Sequence, residues 1–284
     1  MSVLFESRGA TVTFGGLVAV KDVDIKVQAG EIHGVIGPNG AGKTTFFNAI
    51  SGLVSLSHGD LLLDGKSFAR LPPYRRPALG MRRTFQSVQL IPQFTALENV
   101  LTGLHLETRD NPLSWLLSLS GRSAAEEKAQ DRVIEMLEEL GIADTLFKRP
   151  SELTFVEQRF VEIARALISR PRLLMLDEPA AGLSPSEVDQ INALLRKLRG
   201  DHGMTIMLVE HVLSLVLDVS DAVTVLDKGQ VISRGTPKEV SGDPKVQTAY
   251  FGDPDDIAPE QNAPERPADR KSSSRGGGSD ADRH

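Results

Sequence analysis

The sequence predicts an α/β fold: a mostly parallel sheet wrapped by helices, with an N-terminal antiparallel β region and an inserted helical subdomain. Three observations predict it. In the second half, the apolar runs RLLMLDEP, MTIMLVEH and AVTVLDKGQVI alternate with helical stretches, as a parallel sheet with crossover helices requires. The first third holds closely spaced β-rich runs, ATVTF, LVAV and VDIKV, divided by Gly15 and Gly16 and ended by Gln28-Ala29-Gly30. Between Gly103 and Ser151 the period changes, with Val133, Met136, Leu137 and Leu140 at i, i+3, i+4 and i+7 of one helical face.

Taken in order, EIHGVIG is a strand that feeds a glycine loop, and TTFFNAISGL after the loop has helical spacing and stops at Gly52. HGDLLLDGKSF reads as a hairpin turning at Asp64-Gly65. The helical insertion covers about residues 103–165, and the ordered domain as a whole about 1–252. From 253 to 284 the chain is rich in Pro, Gly, Ser and charge and almost free of large apolar groups, the composition of a disordered tail. MTIMLVEHVLSLVLDV is interrupted by Glu210 and His211, so it reads as a buried strand followed by a helix rather than a span of about 20 apolar residues.

Bulk properties narrow the function. The 284 residues carry a net charge of −6, which excludes a global positive field for nucleic acid or anionic lipid. The absence of cysteine excludes disulfides and thiolate metal sites. The N-terminus MSVLFESRGATVTF has no basic start followed by a long apolar run, so no secretory signal is expected there.

The chemistry concentrates in a few short stretches. GPNGAGKTT, comprising Gly37, Pro38, Asn39, Gly40, Ala41, Gly42, Lys43, Thr44 and Thr45, satisfies G-x-x-x-x-G-K-[ST] between a strand and a helix. The glycines let backbone N–H groups converge on phosphate, Lys43 reaches β/γ oxygens, and Thr44 offers a hydroxyl to Mg²⁺. The core is therefore that of a P-loop NTPase, with ATP and Mg²⁺ as expected ligands. LLMLDEP ends a buried strand in two acids: Asp177 suits Mg²⁺, and Glu178 is placed to polarise a water at the γ-phosphate. His211 closes TIMLVEH at the same edge of the sheet, and Gln86 in RRTFQ carries a carboxamide that could contact Mg²⁺ or water. Phe14 could stack on adenine or belong to the core of its strand.

GPNGAGKTT, the Gln after RRTF, EQRFVEIARAL, LLMLDEP and LVEH stand in the order and spacing found in ATP-binding subunits of ABC transporters, which the chain resembles over residues 10–252. FGGLVAVKDV, LDEPAAGLSP and DPKVQTAYFG make the resemblance strongest to subunits of branched-chain amino acid importers. An ATP-hydrolysing, energy-coupling subunit is what this implies, with exporters of lipid and soluble ABC proteins as the alternatives. It also implies a nucleotide-sandwich dimer with a second ATP-binding subunit, membrane permease subunits, a periplasmic or extracellular substrate-binding protein, and a place on the cytoplasmic face of the membrane. Phe14 would stack on adenine, Gln86 lie in the Q-loop, Ala181 to Ser184 form the D-loop, and His211 act as the switch.

One segment departs from the pattern. Where the family carries LSGGQ, which grips the γ-phosphate held by the opposite subunit, this chain has LTFVE: Leu153, Thr154, Phe155, Val156 and Glu157. Thr154 keeps a hydroxyl. Side chains at 155 and 156 limit backbone approach to phosphate, and a carboxylate at 157 aimed at it would repel it. The expectation is a weakened composite site, unless Glu157 points away. The apolar stretch PLSWLLSLS with Trp115, in a surface running from Gln86 to about Ser120, is expected to face a permease helix.

Overall fold

The computed structural model describes residues 2–104, 124–211 and 213–251. PLSWLLSLS with Trp115, and the predicted tail, lie outside them.

Two sheets organise the chain. β1 (Val3–Phe14) and β2 (Leu17–Gln28) pair antiparallel, so the three predicted N-terminal runs belong to two long strands. β4 (His58–Leu63) joins β1, and β5 (Lys66–Ser67) pairs with β4 across the Asp64-Gly65 turn, giving the order β2-β1-β4-β5. Both turn residues have positive φ, 49° and 70°, as a tight two-residue hairpin requires.

The second sheet has six strands in the order β10-β9-β3-β8-β7-β6. Its members are β3 (Ile32–Ile36), β6 (Met81–Arg83), β7 (Leu173–Asp177), β8 (Thr205–Val209), β9 (Ala222–Asp227) and β10 (Gln230–Gly235). All neighbours run parallel except β9 and β10. Along β7, Leu174 and Leu176 face one core while Leu173 and Met175 face the other, and in β8 Ile206 and Leu208 alternate likewise with Met207 and Val209. Period-2 alternation between two buried faces explains why these strands read as unbroken apolar runs.

One face meets the antiparallel sheet and α1 (Lys43–Ser51), with Phe46, Phe47 and Ile50 fully buried. α1 stops where predicted, at Gly52 with φ 81°. Arg76 reinforces that end by donating to the Ile50 carbonyl at 2.5 Å, an acceptor a helix C-terminus leaves open, and to that of Ala49 at 2.6 Å, which also takes the Gly52 N–H at 3.1 Å.

The other face carries the helices α2 (Ala96–Leu101), α3 (Ala124–Glu139), α4 (Phe155–Leu167), α5 (Pro185–His202), α6 (Leu213–Val219), α7 (Pro237–Ser241) and α8 (Pro244–Phe251). Val133, Leu137 and Leu140 of the predicted face are buried, with Met136 packed against them. The helical stretch begins earlier than position 103: Thr95 caps α2 reciprocally with Glu98, and its last helix continues to Leu167. Glu210 and His211 separate β8 from α6. Among the described residues no helix is long and apolar enough to cross a membrane.

Candidate functional site at the carboxyl edge of the parallel sheet

β3 delivers the chain into residues 37–42 at the carboxyl edge of the sheet, and α1 leads away. Two glycines make this bend possible. A Cβ on Gly37 (φ 152°) would meet the Leu226 carbonyl oxygen at 2.0 Å, and one on Gly42 (φ 95°) would meet that of Ala19 at 2.6 Å. Residues 39–45 line a cleft of about 450 Å³ with Leu17, Val18 and Ala19 as its apolar wall and Glu178 and Lys228 at its rim. Phe14 is half-exposed at the end of β1, which excludes the core reading, but it does not line this cleft.

Lys43 is buried, and its ammonium donates to the carbonyls of Gly37 at 2.7 Å and Pro38 at 3.0 Å. Burial draws its pKa below the ordinary lysine value, opposed by the charges of Glu178, Asp177 and Glu210. Those three carboxylates are thus the electrostatic neighbours of the phosphate loop.

Asp177 ends β7 with 2% exposure. A buried carboxylate needs a partner, and Arg83 on the adjacent β6 donates to it at 2.5 Å. Arg83 also donates to the Asn48 carboxamide oxygen and the Ser51 hydroxyl at 2.9 Å, tying β6 to α1, and its guanidinium sits over the Phe47 and Phe85 rings.

The next residue, Glu178, has φ 49°, a left-handed conformation that costs a non-glycine residue about 1–2 kcal/mol and persists where surroundings over-determine it. Here its N–H donates to the Val209 carbonyl at 2.8 Å. The Gln86 carboxamide donates to the Glu178 carboxylate at 2.8 Å, and His211 Nδ1 lies 3.6 Å from the same oxygen. Three side chains predicted from separate stretches therefore meet. Behind them is a fully buried acid the sequence reading passed over: Glu210 accepts from the Ala180 N–H at 2.7 Å and the His211 N–H at 3.1 Å, binding the turn after β7 to the turn after β8. The Ala181 to Ser184 segment leads into α5, whose N-cap Ser184 is closed reciprocally by Glu187.

Hydroxyl, carboxylate and carboxamide oxygens on Thr44, Asp177 and Gln86 form a hard-oxygen donor set, the type Mg²⁺ prefers. The buried carboxylate lies at the same sheet edge as the phosphate loop, so the donor chemistry suits the ion, while in this structure Asp177 is paired with Arg83 and Gln86 with Glu178.

The Leu153 to Glu157 segment follows a different logic. Thr154 is the N-cap of α4: its hydroxyl accepts from the Glu157 N–H at 3.3 Å, while the Glu157 carboxylate folds back to the Thr154 N–H at 2.6 Å. That is a capping box. The Thr154 N–H lowers the Glu157 pKa most, and Lys148, 3.5 Å away, adds to the effect. Leu153 and Val156 are buried in the helical-side core, whereas Phe155 is 75% exposed. Of the side chains that depart from the family pattern, only Phe155 projects outward. Glu157 is spent on its own helix, so the repulsion expected of a carboxylate aimed at phosphate does not arise in this arrangement.

A glycine-rich phosphate cradle, a buried Asp177 followed by the partly exposed Glu178, a His at the end of the adjacent strand, and a helical arm bearing a capped turn define an ATP-binding cassette with an ATPase site. Sequence comparison agrees, since the model of the ABC transporter family matches residues 20–181. The chain belongs to that family. A second family model, the branched-chain amino acid ATP-binding cassette transporter, matches residues 230–256.

The chain is 40% identical over 250 residues to the high-affinity branched-chain amino acid transport ATP-binding protein BraF of Pseudomonas aeruginosa, covering 88% of this chain and 98% of BraF. It is 38% identical over 250 residues to LivG of Escherichia coli, a protein of the same description, with the same coverage. Among solved structures it is similar to a nucleotide-free ATP-binding cassette from an ABC transporter and to the ADP conformation of MJ1267, an ATP-binding cassette of an ABC transporter. For both, the TM-score is 0.77 at 30% identity, with 89% of this chain and 100% of the other covered.

Proposed function

We propose that this chain is the ATP-hydrolysing, energy-coupling subunit of a membrane importer for branched-chain or other hydrophobic amino acids, acting at the cytoplasmic face of the membrane. The convergence of Gln86 and His211 on Glu178 beside the phosphate loop carries the reading of the site, and the similarity to BraF and LivG supports the substrate class. The match of residues 230–256 to the amino acid transporter model favours this branch over lipid export.

In this reading ATP lies over residues 37–45, with Phe14 or the Leu17 to Ala19 wall against adenine. Lys43 leaves the loop carbonyls for the β/γ oxygens. Thr44, Asp177 and Gln86 would hold Mg²⁺, which when bound would supply positive charge to offset the negative charge developing on the phosphates. Glu178 accepts hydrogen bonding from the attacking water, and Gln86 and His211 orient Glu178 and sense the γ-phosphate. Leu153 to Glu157 of one subunit completes the site of a second ATP-binding subunit, chiefly through backbone N–H groups at the α4 N-terminus. Permease subunits and a substrate-binding protein complete the system, and the 1–252 domain with its inserted helices is the unit that docks.

The test is uptake of radiolabelled leucine, isoleucine and valine by cells carrying the chain or its Glu178→Gln variant. The expected result is loss of uptake with ATP still bound. Unchanged uptake of all three would remove the substrate assignment, and unchanged ATP turnover would remove the role of Glu178.

A further inference from the structure

The helix that begins at the capped Thr154 turn is bolted to the Gln86 loop of the same chain. Arg159, only 4% exposed, sits one turn into α4 and donates to two main-chain carbonyls, Phe85 at 3.0 Å and Gln86 at 3.1 Å. Its guanidinium is held by Glu162 at 2.9 Å, which is 1% exposed. The other Glu162 oxygen faces the Gln89 N–H at 3.4 Å, and Arg165 donates to the Gln89 carbonyl at 2.5 Å. Three successive charged side chains of one helix face thus grip residues 85 to 89 by their backbone.

This cluster is expensive to bury. Desolvation raises the Glu162 pKa, with Arg159 and Arg165 opposing it, and lowers that of Arg165. Buried ion pairs seldom surpass apolar packing in stability, but they do specify geometry. The geometry specified here is that of the loop carrying Gln86, whose carboxamide reaches Glu178. One guanidinium thus holds the carbonyls of both Phe85 and Gln86. A guanidinium can hold both because it is a rigid planar fork; an ammonium is a single point.

We propose that Arg159, braced by Glu162 and Arg165, is a positioning residue for ATP turnover that carries movement of the partner-facing Thr154 turn into Gln86. In the proposed dimer the two ends of the device would serve different nucleotides: the α4 N-terminus would meet the site of the second subunit, and the 85–89 loop belongs to this chain's own. A shift of α4 when its N-terminus engages phosphate therefore displaces the Gln86 backbone directly. This inference rests on the proposed role of Gln86.

The experiment is a double-substitution cycle in the assembled transporter, reading kcat, KM for ATP and Tm for Arg159→Lys, Glu162→Gln and Gln86→Ala, singly and combined. Arg159→Lys is expected to lower kcat roughly 10-fold, the scale of a charge-assisted hydrogen bond, with KM within about 2-fold and Tm within a few degrees. Glu162→Gln should lower kcat in the same direction and less. In the Gln86→Ala background both substitutions should cost less than about 2-fold further, because their target is gone. An equal loss in both backgrounds, or unchanged kcat in both single variants, overturns the clamp and leaves the site reading intact. A silent Gln86→Ala would instead strike the reading of the site, and the clamp with it.

Discussion

The phosphate-loop site and the Thr154 turn are both helix N-termini suited to phosphate, yet they are held by opposite means. At the first, α1 starts from Gly42 without a side-chain cap, and the acids around it are fixed by partners distant in sequence: Arg83 for Asp177, Val209 for Glu178, Ala180 for Glu210. At the second, α4 closes its own first turn with Thr154 and Glu157, three residues apart. The difference is that the phosphate loop's helix starts without a side-chain cap, whereas the self-capped turn spends its side chains locally and leaves Phe155 exposed.

Predictions can break that comparison, beginning with the largest effect. Lys43→Ala removes the one buried ammonium of the phosphate loop, and turnover should fall about 10²–10³-fold, the usual loss for a preorganised donor; equal turnover and ATP affinity in a nucleotide-binding assay would take the site elsewhere. Glu178→Gln should keep ATP affinity and reduce kcat about 10²-fold or more, measured as phosphate release. Arg76→Ala leaves the Ile50 carbonyl at the end of α1 without its donor and that of Ala49 with the Gly52 N–H alone, for an expected loss of about 1–3 kcal/mol by chemical denaturation. These three act on the long-range region.

The Thr154 turn should respond less, and its three departures unequally. Val156→Ala is expected to cost about 1–2 kcal/mol of stability through lost core packing, which means that restoring glycine there costs stability whatever it does for phosphate. Glu157→Gln is the smallest change: turnover of the isolated chain within about 2-fold and a stability loss of about 0.5 kcal/mol, the low end for a helix cap. Because the Glu157 pKa is lowered in the fold, its contribution is present above the ordinary glutamate value and disappears as pH falls through the lower folded value. Wild-type and Glu157→Gln stabilities should therefore converge in acid, read from Tm against pH. A tenfold gain in turnover from Glu157→Gln would show that the carboxylate reaches phosphate after all.

The Thr-x-x-Glu spacing of a capping box is present at Thr154 and Glu157, so the orientation of Glu157 was legible before any coordinates. It was obscured by comparison with a family pattern in which the position contacts phosphate. Arg83 stands in RRTFQ, where an arginine carries no local signal for an aspartate 94 positions away. Lys228 reached the cleft rim through the turn between β9 and β10, which reads in sequence only as a hairpin.

What the sequence determined by itself is whatever depends on consecutive residues. The glycine spacing sets the curvature of residues 37–42, the apolar runs set the buried strands, and strand ends place Asp177, Glu178 and His211 at one edge because parallel strands in one sheet share a direction. What only the tertiary structure decided is pairing: which cation neutralises Asp177, that Glu210 ties two turns together, that Arg159 and Glu162 hold the Gln86 backbone, and that Val156 is core while Phe155 is surface. Those outcomes follow from the cost of burying an unpartnered charge or N–H, and the partner that meets it is chosen by packing between elements far apart in the chain.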